Sequence, residues 1–183
     1  MSKNKSMILA LTDGKPGHET QTQGLIQLLN YSNEYNVEWL TLQFPSKWHY
    51  KILRFLLKLS GNTNWLKYFF NQEQLELTHK LPIRYIVSAG GNTLVANALL
   101  RVFLAQHQKV QNVVASSLRG IPAKYFDAVF TIHPEQKYLA HYVYYPIAPN
   151  KMAANPLTQD QARKNLAIED AEQIISVLIG ADT

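Results

Sequence analysis

The sequence contains no cysteine. Disulfides and thiolate metal sites are therefore excluded, which fits a reducing compartment. Long apolar runs are also missing. A membrane-spanning helix takes roughly 18–20 apolar residues, and no stretch approaches that. The polar start Met1–Ser6 is followed by a short apolar run, Met7 to Leu11, too short for the apolar region of a secretory signal. The expectation is a cytoplasmic protein. Acidic residues are scarce, 13 against 18 Lys and Arg, giving a net charge of +5. A basic balance permits nucleic acid, anionic lipid or phosphorylated substrates. The basic residues are scattered and form no known nucleic-acid module, so no nucleic-acid partner is expected. His18, His133 and His141 lack the spacing of a metal-ligand motif, so no metal is expected. There is no internal repeat or low-complexity tract.

What is present suits one α/β domain. Hydrophobic residues make up 46% of the 183, enough for a core. Met7–Thr12 is an apolar run that stops at Asp-Gly, as a buried parallel strand does. A helix over Glu19–Leu29 and a strand over Val37–Leu42 complete a β–α–β opening. Helical patterning covers Lys47–Phe70, broken at Gly61-Asn62, and a short helix or loop covers Gln72–Leu81. Strands are expected at Arg84–Ala89, Val110–Ala115, Asp127–His133 and Tyr142–Ile147, with a helix over Asn92–Gln106. The fold class expected is a Rossmann-like parallel sheet flanked by helices, over residues 1–150. A linker follows at residues 149–158. Thr158 is an N-cap candidate for a helix over Gln159–Leu166, and Ile174–Ile179 has the pattern of a buried strand. That strand reads either as the opening of a second lobe or as an edge of the same sheet.

Two glycine turns carry the chemistry. In Asp13-Gly14-Lys15-Pro16-Gly17-His18, glycine lets backbone N–H groups approach an anion, and the following helix adds a favourable N-terminal partial charge. Lys15 is placed to neutralise a phosphate. His18 is the candidate general base, since a near-neutral imidazole can take a hydroxyl proton. The other reading is a plain tight turn. The pattern matches neither common nucleotide-binding glycine motif. The second turn, Ser88-Ala89-Gly90-Gly91-Asn92-Thr93, also ends a strand and opens a helix. Both turns fall on the carboxyl rim, where open α/β sheets bind ligands. Asn92 and Thr93 serve equally well as helix caps. Arg119, in the loop Ser116–Pro122, either grips an anion or is solvated. His133 is on the same rim, with a structural role or a catalytic one.

One helix has a second character. Lys47, Lys51, Arg54 and Lys58 form a basic stripe, with Trp48, Ile52, Phe55, Leu56 and Leu59 beside it. Peripheral contact with an anionic membrane through Lys47–Phe70 is one reading. A core-facing helix with a solvated basic side is the other.

The run Thr12–Glu19, followed by Gln21 and Gly24-Leu25, resembles the opening of the mitochondrial-fission family named for elongated mitochondria. That family has plant and bacterial members. Asp13, Gly14, Lys15, Gly17, His18, Gln21, Gly24 and Leu25 meet its first pattern. Ser88–Gly90 with Thr93, Phe126–Val129 and His133–Glu135 resemble its later segments, in the same order. The resemblance covers most of residues 7–150. It implies the GT-B architecture, two Rossmann-like lobes facing a cleft, with the acceptor on the first lobe and a nucleotide-sugar donor mostly on the second. The nucleotide sugar is then a substrate, and no cofactor is implied. In the transferase that completes the cell-wall lipid precursor, a similar glycine turn ends in a histidine placed like His18. Family members continue well past residue 183. Residues 151–183 are thus expected to be a linker, a helix and the first strand of a second lobe that is missing or supplied by a partner chain. The activity implied is glycosyl transfer, absent from this lobe alone. A different implication comes from the plant members, which are linked to recruiting a dynamin-like protein. In that case the chain is a non-enzymatic membrane-associated interaction domain, docking through Lys47–Phe70.

Overall fold

A computed structural model describes residues 5–151 and 157–167. The chain divides into two compact units, Met1–Lys151 and Met152–Thr183. The strand expected at Ile174–Ile179, and Gly180–Thr183 after it, lie outside the described residues.

The first unit is a six-stranded sheet in the order β2-β1-β3-β4-β5-β6, parallel throughout. Its strands are β1 (Met7–Thr12), β2 (Asn36–Thr41), β3 (Ile83–Ala89), β4 (Gln111–Ala115), β5 (Ala128–Thr131) and β6 (Tyr142–Tyr144). Helices α1 (Pro16–Leu29), α2 (Lys47–Leu59), α3 (Gln72–Lys80) and α4 (Leu94–Leu104) connect them, with a 3-10 helix at Thr63–Tyr68. Strands need burial on both faces to read as continuous apolar runs, and β1 has it. Its residues alternate between two cores. Ile8 and Ala10 pack with Leu25 and Ile26 of α1. Leu9 and Leu11 pack with Leu53 and Leu57 of α2, Leu66 and Phe69 of the 3-10 region, and α4. The result is a Rossmann-like three-layer α/β fold.

The differences from the sequence reading sit at element ends. Helix α1 begins at Pro16, three residues earlier than expected, because a proline at the first helical position lacks only an N–H that has no helical partner. Strand β5 is shorter than Asp127–His133. The Asp127 carboxylate is engaged by the Asn112 N–H and by Arg101, and Pro134 opens a 3-10 turn. Strand β6 stops at Tyr144, two residues before Pro146, which has no N–H to give a ladder. Helix α2 breaks at Ser60, whose backbone is extended.

In the second unit, α5 spans Gln159–Asn165. Thr158 caps it as expected, accepting from the Gln161 N–H while the Gln161 side chain accepts from the Thr158 N–H.

Candidate functional site

The order β2-β1-β3 makes the gap between β1 and β3 the point where the chain's connections leave in opposite directions. Ligands of open α/β sheets bind at such a point, beyond the carboxyl ends of the strands. Leu11 pairs with Ser88 in the parallel register, so the two glycine turns emerge side by side.

Together they build one cluster. Asp13 leaves β1 with its side chain 1% exposed. Both of its carboxylate oxygens lie 2.9 Å from His18 Nδ1. The Asn92 Nδ2 amide donates to Asp13 Oδ2 at 3.0 Å. A carboxylate only accepts, so Nδ1 is the donor, and in the neutral imidazole Nε2 carries the lone pair. The His18 side chain is 26% exposed. It is therefore an oriented imidazole that solvent or a ligand can reach. The same carboxylate-on-imidazole arrangement fixes tautomer and ring angle in hydrolytic triads.

Gly90 makes room for that ring. Its φ is +84°, and a Cβ there would lie 2.2 Å from His18 Nδ1. A side chain at residue 90 would meet both a backbone penalty and the imidazole. Gly91 makes the same kind of room for a cation. A Cβ at Gly91 would lie 2.2 Å from Arg119 Nε, so the guanidinium lies against the turn. Arg119 has a positive φ of 49°, unusual for a non-glycine residue, and is exposed. Tyr50 of α2 donates its hydroxyl to the Gly91 carbonyl. Burial pushes the Tyr50 pKa up to about 12, against the opposing pull of Arg119 and Arg54. The hydroxyl thus stays protonated and keeps donating. The Lys58 ammonium approaches Gly120, 3.3 Å from where a Cβ would stand there.

Beneath the rim, polar groups are buried in a closed network. Thr93 Oγ1 has Ser88 Oγ and the Ala89 and Gly90 carbonyls within reach of its one hydroxyl proton, and Asn97 Nδ2 donates to Ser88 Oγ. Asn112 Nδ2 donates to Asn97 Oδ1 and to the Tyr125 carbonyl. Among the described residues no buried side-chain polar atom lacks a partner. Such a network holds the turn in one arrangement.

The expected site residues therefore separate into groups. Asp13, Gly90 and Asn92 meet around His18, and Gly91 receives Arg119. Gly14 holds the turn with a φ of +73°, and its N–H donates to Thr12 Oγ1. Gly17 belongs to the first turn of α1, not to the loop. Lys15 is exposed at the N-cap position of α1, and its side chain does not cap. Ser88 and Thr93 are fully buried and spend their hydroxyls on the turn itself. Thr93 is the N-cap residue of α4 by position, yet its side chain makes no cap bond. Gln21 lies one turn along α1 from His18 and lines a cleft of about 440 Å3. Arg119, Ser116, Thr131 and His133 line the same cleft, at the carboxyl ends of β4 and β5. His133 is exposed there, 3.3 Å from Glu135.

The orienting role of Asp13 and the part of Tyr50 were missed from sequence. An aspartate at the end of a strand, five residues before a histidine across a glycine turn, is an available signal for the first. Nothing in the sequence ties Tyr50 to Gly91. Among the described residues no group of three or more His, Asp or Glu could hold a metal, and no helix is long and apolar enough to cross a membrane.

In comparisons with protein-family models, curated proteins and solved structures, nothing matches this chain.

Proposed function

We propose that the first unit is the acceptor-side lobe of a GT-B-like, sugar-nucleotide-dependent glycosyltransferase, with His18 as the base. The Asp13–His18 pair carries this reading. It is a carboxylate-oriented imidazole at the switch point of a parallel sheet, with its Nε2 directed away from Asp13. In the proposed step an acceptor hydroxyl gives its proton to His18 Nε2. The oxygen attacks the anomeric carbon of the donor, and the nucleoside diphosphate departs with the bonding pair. Direct displacement of this kind inverts the anomeric carbon. Arg119 and Lys15 supply positive potential for a phosphate on the acceptor. The donor lobe is expected from a further segment or a partner chain.

Binding is the first test, because the lobe by itself is not expected to turn over. Calorimetric titration with polyprenyl-phosphate analogues is expected to show binding that weakens about tenfold or more in Arg119→Ala, the loss of one charge-assisted contact. Absence of binding by every phosphorylated acceptor and every nucleotide sugar tried would sink the enzyme reading. Once a donor lobe is present, His18→Gln is expected to lower kcat by about 100-fold or more with KM for the acceptor little changed.

A further inference from the structure

Helix α2 has two apolar stripes, and only one of them meets the core. Leu53 and Leu57 are buried against the sheet. Trp48, Ile52, Phe55 and Leu59 recur at i, i+4, i+7 and i+11 and form a separate stripe. They are 69%, 39%, 60% and 71% exposed. Single exposed apolar residues are ordinary, but four large ones in a row along a helix are not. Lys47, Lys51, Arg54 and Lys58 repeat the same spacing one residue earlier, so they run beside this stripe about 100° round the helix. There is no Asp or Glu anywhere in α2.

We infer that α2 is a membrane-docking helix that seats its Trp48–Leu59 stripe in the interface of an anionic bilayer. The charge pattern selects this occupant. Anionic headgroups answer a row of lysines beside aromatic and aliphatic side chains, and such helices lie in the membrane plane. A protein partner's interface core would instead be depleted of lysine. A second copy of the chain, meeting the same face, would set two basic rows together with no acid on either helix to answer them. The surface is narrower than Lys47–Phe70, because Leu66, Phe69 and Phe70 are buried in the core.

The same helix reaches the candidate site. Tyr50 bonds to Gly91, and Lys58 approaches Gly120 beside Arg119. Docking would bring a membrane-borne phosphate to the edge of that site without any rearrangement of α2. The inference itself does not rest on glycosyl transfer.

The test is sedimentation of the full chain with vesicles of phosphatidylcholine alone or mixed with phosphatidylglycerol. Expected is binding to the mixed vesicles at least about tenfold stronger than to neutral ones, lost in high salt. The double variant Phe55→Ser, Leu59→Ser removes exposed groups only and should keep its circular dichroism while losing about tenfold or more of the binding. Lys47→Glu with Lys51→Glu should lose it likewise, and His18→Ala should not. No binding to mixed vesicles, equal binding to both kinds, or an unchanged Phe55→Ser, Leu59→Ser variant would each overturn the inference. So would a dimer, dissolved by that double variant, in a protein that ignores vesicles.

Discussion

At the scale of single residues, the site depends on what glycine leaves empty. His18 occupies the space a Cβ of Gly90 would fill, at a backbone angle of +84° that L side chains rarely adopt. Gly90→Ala is therefore expected to cost about 1–3 kcal/mol in denaturant unfolding. It should also displace the imidazole, seen as a changed Nδ1 proton resonance. Asp13→Asn tests the electrostatic half. An amide can present its oxygen to Nδ1 but holds no charge, so the fold should survive while the Nδ1 proton resonance of His18 moves. An unchanged resonance would mean that the Asp13 charge does not act on the ring. Gly24 has a different reason. It sits inside α1, where a Cβ would lie 2.3 Å from the Asn150 backbone nitrogen. Gly24 is thus a packing requirement of α1.

At the scale of elements, the rim is stiffened from below. Asn97 of α4, Asn112 of β4 and Ser88 of β3 are fully buried and bonded to one another. The Asn112 Oδ1 also accepts from the Asp127 N–H, which ties β4 to β5. Asn112→Ala would orphan the Asn97 oxygen and take away the side-chain donor to the Tyr125 carbonyl, while the Asp127 N–H keeps its bond to the residue 112 carbonyl. Its expected cost is on the order of 1–3 kcal/mol, measured by chemical denaturation. Asn71→Ala, which removes the capping box of α3 at an exposed position, should cost about 1 kcal/mol and leave the rim unaffected. The comparison separates general helix stability from the specific support of the turn. Helix α2 shows how an element can mislead. Its sequence carries two apolar stripes, and periodicity does not say which one faces inward. The stripe with the larger side chains faces out, because Leu53 and Leu57 fill the space beside β1.

For the whole molecule, Tyr50 is one group through which alkaline pH acts. Its folded pKa, about 12, is above the ordinary tyrosine value because burial penalises the phenolate. The folded state therefore holds this proton more tightly than the unfolded state does. The stabilisation is full below the unfolded value near 10 and is lost as pH rises from there through about 12. Stability measured from pH 9 to 12 should fall less steeply in Tyr50→Phe than in the parent. That substitution also loses the bond to the Gly91 carbonyl, so its baseline stability should be lower by about 1 kcal/mol.

The sequence by itself determined the β–α alternation, the parallel sheet and the position of both glycine turns. Burial on two faces writes itself as apolar runs, and a strand-to-helix turn writes itself as glycine, so these features are local. It also marked Asp13, His18, Asn92 and Arg119 as polar residues on one rim. Tertiary structure decided how they combine. Only the pairing of β1 with β3 puts Asn92 beside Asp13, which lies 79 positions away, and only the packing of α2 puts Tyr50 on Gly91. Such contacts leave no periodic trace, since they depend on register and on the neighbouring element. The same holds for the outer stripe of α2. Its residues are visible in the sequence, but their exposure follows from which of two faces the core could accommodate.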